Sequence, residues 1–149
     1  MKVRYKSFDL MGEKGVFTVE STQSGIDSIN LSMEGRSIYP YVTRTANNNG
    51  VQCYVPKQNK PLEKANTISV GLDTQTVYYQ PYEYYTGQNV QIFSCTNLNE
   101  NTAMYLIPLI KKQLQRRMPE QEYCQSQRMW HRCFRQSSRT EMHRKWRNP

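Results

Sequence analysis

Residues 39–55 constrain this chain more than any other stretch. Tyr39-Pro40-Tyr41-Val42-Thr43-Arg44-Thr45 is an aromatic and β-branched run, Ala46-Asn47-Asn48-Asn49-Gly50 follows it, and Val51-Gln52-Cys53-Tyr54-Val55 is a second such run. Branched and aromatic side chains suit a pleated, half-buried surface. Asn and Gly tolerate the positive φ that a tight reversal demands. The spacing predicts two strands around a turn at 46–50. Pro40 has no N–H for a ladder, which puts it at a strand start or on an edge. The turn would carry amides, hydroxyls and one guanidinium beside a rigid edge. Those groups suit the reading of a polar, charged polymer better than they suit a catalytic pocket.

The strands continue on either side. Gly15-Val16-Phe17-Thr18-Val19-Glu20 alternates at period two. Residues 21–36 are polar and broken by Gly25 and Gly35, a loop with room for a short helix near Ile26 to Leu31. Pro56 to Asn66 is a polar excursion holding Lys57, Lys60, Glu63 and Lys64. Thr67 to Leu72 and Thr76 to Gln80 read as a hairpin about Asp73-Thr74-Gln75, with a Tyr-rich loop over 81–87 and a further strand over 89–93. Asn99 to Thr102 then supplies an N-cap for an apolar-periodic helix through Leu114. Pro108 inside that helix is expected to kink it. Lys111, Lys112, Arg116 and Arg117 near its end complement the helix dipole.

Charge divides the chain. The formal net charge is +8, yet residues 1–115 carry 11 basic and 9 acidic side chains, and residues 116–149 carry 9 and 3. Basicity is thus mostly a property of the tail, and it cannot by itself argue for nucleic-acid binding by the body. The tail holds both Trp, both His and almost no aliphatic residues, a composition that cannot bury enough surface to offset its ordering entropy. The expected division is a folded domain over 1–117 and a poorly ordered basic tail over 118–149. Cys53, Cys95, Cys124 and Cys133 match no zinc or Cys-x-x-Cys spacing, so free thiols are expected. The N-terminus lacks an apolar signal core, and no run reaches the roughly 20 apolar residues of a membrane span. A cytoplasmic protein with no membrane association is expected.

Several stretches together resemble a known family. Gly15 to Val19, Tyr39 to Thr45, Asn48 to Val51, Ala65-Asn66-Thr67-Ile68-Ser69-Val70-Gly71, Val77-Tyr78-Tyr79-Gln80 and Val90 to Phe93 occur in this order, with Tyr105-Leu106-Ile107 and Lys111-Lys112 in the helix. Over about residues 6–115 the chain resembles the target-recognition domain of type I restriction–modification specificity (S) subunits. It is most similar to the S-like subunit of bcg-like type IIB systems. The resemblance implies an α+β fold, a β-rich body with a mixed or antiparallel twisted sheet followed by the helix. It implies recognition of a double-stranded DNA sequence, a partner adenine methyltransferase (modification) subunit, and a restriction subunit. After Gln115 the pattern departs: the Gly-containing segment, Leu-Pro strand and long helix expected of the family are missing. A truncated or frameshifted end is expected, with a genuine basic tail as the alternative.

The candidate DNA-binding residues are Thr43, Arg44, Thr45, Asn47, Asn48, Lys57, Lys60, Tyr82 and Tyr84. Arg44 can fork onto a guanine edge or a phosphate, or pair with an acid on a sheet edge. One of Thr43 and Thr45 is expected to join it. Asn47 and Asn48 can present amides to adenine, while turn chemistry alone also favours Asn-Asn-Gly. Lys57, Lys60 and Lys64 can follow a phosphate backbone or form an ordinary solvated loop. Tyr82 and Tyr84, in the loop, are expected to be exposed for stacking or phosphate contact, whereas one of Tyr78 and Tyr79 is expected in the core. No catalytic set, phosphate-cradling glycine loop or metal-ligand spacing occurs, so no enzyme activity, cofactor or metal is expected. The alternatives are a fragment of a bifunctional restriction enzyme and a tyrosine-rich protein- or sugar-binding β-domain.

Overall fold

The computed structural model describes residues 15–117. Seven strands form two sheets, and one helix closes the chain: β1 (Thr18–Ser21), β2 (Tyr39–Val42), β3 (Val51–Val55), β4 (Thr67–Gly71), β5 (Val77–Gln80), β6 (Tyr85–Thr86), β7 (Val90–Ser94) and α1 (Glu100–Arg117). The larger sheet is antiparallel, in the order β1-β7-β4-β5. The smaller runs β3-β2-β6, with β2 antiparallel to β3 and parallel to β6. This is the α+β architecture expected from the sequence.

The centre of the larger sheet is covered on both faces. Every residue of β4 is buried. Ile68 and Val70 share one core with Phe93 and with Ala103, Leu106, Ile110 and Leu114 of α1. These helix positions recur every three or four residues, which lines them along one side. On the opposite face of the sheet, Val90 and Ile92 pack with Val42 and Tyr84. Small side chains at Thr67, Ser69 and Gly71 fit between the sheets, so β4 lacks the polar alternation of a half-exposed strand. A third cluster, Ile26, Tyr41, Val55 and Tyr85, lies under the smaller sheet.

Several local expectations are refined. Pro40 lies in the middle strand of its sheet, but β6 joins β2 only at Tyr41 and Val42. Pro40 therefore sits where β2 has β3 as its neighbour, opposite Tyr54, and no ladder bond to β6 is lost. The segment 81–87 is not simply a loop, because Tyr85 and Thr86 form β6. Tyr85 is buried: its hydroxyl accepts from the Gln58 N–H at 3.0 Å and donates to the Gln58 carbonyl at 3.4 Å. The possible helix near Ile26 is one 3₁₀ turn over Ser28–Asn30. Asn99 caps α1 as expected, its Oδ1 accepting from the Thr102 N–H at 3.0 Å. The helix continues through Pro108, which lies on its exposed side. The tail over 118–149 lies outside the described residues.

Candidate nucleic-acid interface

The turn between β2 and β3 is built on three successive left-handed residues: Asn48 (φ 48°), Asn49 (φ 54°) and Gly50 (φ 78°). Asn reaches this region more readily than other residues with a Cβ. At Gly50 a Cβ would lie 3.0 Å from the Tyr78 ring, so the glycine is also required for close approach to β5. Thr43 N–H donates to the Gly50 carbonyl at 2.8 Å and closes the reversal.

Long-range bonds hold this turn against β5. Asn49 Nδ2 donates to the Tyr79 carbonyl at 2.8 Å, and Gln80 Nε2 donates to the Asn49 carbonyl at 3.0 Å. Tyr78 Oη donates to the Ala46 carbonyl at 2.8 Å. Lys111 of α1 lies over the Tyr78 ring, 5.6 Å from its centroid. Arg44 pairs with Asp73 of the β4–β5 turn, and Asn89 Nδ2 donates to the same carboxylate at 3.3 Å. Arg44, the asparagine turn, Tyr78 and Lys111 thus occupy one continuous edge.

The predicted residues do not all belong to that edge. Thr43, Arg44 and Thr45 are half-buried, and Asn47 and Asn48 are exposed. Thr45 Oγ1 accepts from the Asn47 N–H at 3.3 Å, and Asn48 Nδ2 donates to the Val51 carbonyl at 3.1 Å. Of the three asparagines, Asn47 keeps its amide clear of hydrogen bonds to the described residues. Lys57 follows the far end of β3 from the asparagine turn, because the strand runs away from it. Lys60 is exposed and lines a cleft with Asp27 and Gln88. Tyr82 is exposed, as expected.

Tyr84 corrects the expectation that the loop tyrosines face solvent. It is fully buried, bridges to Glu63 through the backbone, and hydrogen-bonds Thr67 Oγ1 at 2.9 Å. Thr67 Oγ1 gives its own proton to the Lys64 carbonyl, which makes Tyr84 the donor of that pair. Burial pushes the Tyr84 hydroxyl far above its ordinary pKa against a smaller opposing pull from Thr67, and the Glu63 carboxylate adds to the rise. Tyr78 and Tyr79 do not divide into core and surface. Both are half-buried, with Tyr79 partly on the main core and its hydroxyl donating to Asn66 Oδ1 at 2.5 Å.

Lys111 is a member of this edge that sequence reasoning assigned only to the helix dipole. Its position over Tyr78 depends on α1 packing against β5, a pairing no local spacing reveals. Among the described residues no group of three or more His, Cys, Asp or Glu could hold a metal ion. No described helix is long and apolar enough to cross a membrane.

The family described as the type I restriction modification DNA specificity domain matches residues 11–128, most of the chain. The chain belongs to that family. Among solved structures, this specificity domain resembles the S subunit of a Type-I restriction-modification system from M. genitalium, at 18% sequence identity and a TM-score of 0.49. That match covers 71% of this chain and 27% of the S subunit, so the domain spans little more than a quarter of that protein's length. No curated protein matches the sequence.

Proposed function

We propose that this specificity domain recognises a defined double-stranded DNA sequence within a restriction–modification system. An adenine methyltransferase subunit and a restriction subunit would carry out the chemistry. The observation that supports this most is the shared edge: a guanidinium at Arg44, a free amide at Asn47 and an ammonium at Lys111 lie along one surface. Phosphate contacts from such a surface fix register, and side chains reaching base edges give specificity. The Arg44–Asp73 pair does not oppose the role. Both partners are about one-third exposed, and a solvent-facing ion pair is worth only about 0–1 kcal/mol, so the guanidinium can exchange Asp73 for a base or phosphate.

Selection from randomised duplexes tests the proposal, using the full chain with whatever subunits co-purify with it. The wild type should enrich a defined sequence, with affinity falling steeply as salt rises. Arg44→Ala should weaken that preference at one position by roughly tenfold. An identical preference in the variant would remove Arg44 from the interface. Salt-insensitive binding would favour a protein- or sugar-binding domain, and magnesium-dependent cutting by the chain alone would favour an enzyme fragment.

A further inference from the structure

One acid lies within the proposed interface, and DNA binding alone gives it no reason to be there. Asp73 belongs to the β4–β5 turn, and its side chain is about one-third exposed beside Arg44. A bare carboxylate on a surface that meets phosphates opposes binding.

Asp73 is fastened to two other segments. Its Oδ2 accepts from Arg44 Nη1, just after β2, and from Asn89 Nδ2, between β6 and β7, at 3.3 Å. The Asn89 carbonyl accepts from the Leu72 N–H at 3.0 Å, so Asn89 grips the β4–β5 turn through backbone as well as side chain. The Gly71 N–H closes that turn by donating to the Thr76 carbonyl at 2.8 Å, and the Thr74 and Thr76 hydroxyls lie 3.1 Å apart across it. The carboxylate is therefore carried on a braced support.

Arg44 is held at its stem too. A Cβ added at Gly71 would lie 3.2 Å from Arg44 Cγ, and 2.5 and 2.9 Å from the Oγ1 atoms of Thr76 and Thr74. The end of β4 is bare where the arginine stem approaches it. Backbone under the stem and a carboxylate at the head restrict a side chain that otherwise has much rotamer freedom to lose on binding. An arginine ordered in advance needs less ordering when it meets its ligand. Asp73 takes only Nη1. Nε and Nη2 remain, two donors of the kind that fork onto adjacent acceptors of a base edge.

We propose that Asp73 is a positioning residue for recognition: it stays paired with Arg44 in the complex and holds the guanidinium to one base. The inference rests on the DNA-recognition reading above and sharpens it, because release of Arg44 from Asp73 has the opposite consequence. If Arg44 had to leave Asp73 to reach DNA, removing the acid would strengthen the preference that Arg44 supplies. If Asp73 braces Arg44, removing it weakens that preference, while the loss of a negative charge raises affinity for duplexes of any sequence.

The test is randomised-duplex selection, together with titration of one unselected duplex, using the full chain with its co-purifying subunits. The proteins are wild type, Arg44→Ala, Asp73→Ala, Asp73→Asn and the double variant Arg44→Ala/Asp73→Ala. Asp73→Ala should relax the position that Arg44→Ala changes by roughly fivefold, leave other positions unchanged and bind the unselected duplex more tightly than wild type. Asp73→Asn keeps an acceptor for Nη1 without the charge, so its preference should fall between those of wild type and Asp73→Ala. The double variant should lose no more preference than Arg44→Ala, since the acid acts through the arginine. If Arg44→Ala alters one position while Asp73→Ala leaves that position unchanged or sharper, the inference fails alone. It fails alone as well if Asp73→Ala lowers affinity for every duplex equally, which is the mark of a merely structural role. If the wild type enriches no sequence, the recognition reading fails and the positioning role falls with it.

Discussion

Two polar clusters in this domain differ in how completely their groups are used. Glu63 is only 4% exposed, and one of its carboxylate oxygens accepts from Thr22 Oγ1 at 2.8 Å, from the N–H groups of Gln23 and Ser24 at 2.7 and 3.0 Å, and from Ser24 Oγ at 3.1 Å. Ser24 Oγ in turn accepts from the Thr86 N–H at 2.9 Å. Along the Arg44 edge, an ion pair about one-third exposed leaves most of the guanidinium's five donors uncommitted to the described residues, and the Asn47 amide faces solvent. The first cluster stitches the loop after β1 to β6 and to the segment before β4. The second is held in place by backbone bonds while its tips stay open. Saturated polar groups in the interior support the fold, whereas unsaturated ones on a rigid support are available to a ligand.

The comparison breaks most visibly at Glu63. Glu63→Ala takes the acceptor from two backbone N–H groups, and leaves the Thr22 and Ser24 hydroxyls with only Thr86 Oγ1 to turn to, so it should cost about 3 kcal/mol of stability. A urea melt followed by circular dichroism measures this. A loss below about 1 kcal/mol would mean that water replaces the carboxylate at no great cost and that the cluster is not structural.

Tyr84 gives a smaller effect with a pH signature. Tyr84→Phe removes a buried donor to Thr67 and should cost about 1 kcal/mol at neutral pH. Its hydroxyl pKa is raised on folding, so the folded state holds the proton more tightly than the unfolded chain. The stability linked to that proton is complete below the ordinary tyrosine value of 10.0 and is lost as pH rises above it. Wild type should weaken above pH 10 more steeply than Tyr84→Phe, by up to about 1.4 kcal/mol per pH unit. Parallel alkaline profiles for the two proteins would rule out this linkage.

The difference between the clusters also explains what the sequence made legible. Asn48, Asn49 and Gly50 announced their turn because the signal is local: left-handed backbone needs those residue types whatever surrounds them. The strand at Val51–Val55 and the cap at Asn99 were legible for the same reason. Glu63 was not. Between Lys60, Lys64 and two prolines it reads as a solvated acid, and its partners lie about 40 residues before it. Tyr84 and Tyr85 were misplaced because a Pro- and Gly-bounded segment looks like a loop until Glu63 is found beside the one and β2 beside the other. On the open edge, Arg44 and Asn47 were recognisable as candidates from residue type, but their company was not. Lys111 joins them only through α1 packing on β5.

The smallest effect on stability belongs to Lys111, and it separates the two kinds of cluster most sharply. Its ammonium sits over a half-exposed Tyr78 ring, a contact worth about 0.5–1 kcal/mol at such sites. Lys111→Ala should therefore lower the urea midpoint only slightly. If the edge follows a phosphate backbone, the same change removes one released counterion. The slope of log affinity against log salt should then fall by about 1, with the selected sequence unchanged, because an ammonium on a phosphate positions without reading. An altered sequence preference would show that Lys111 reaches a base, and an unchanged slope would place it outside the interface. The Glu63 variant, compared at a urea concentration where both proteins remain folded, should keep the wild-type slope. A carboxylate whose contacts all turn inward has nothing to exchange with DNA.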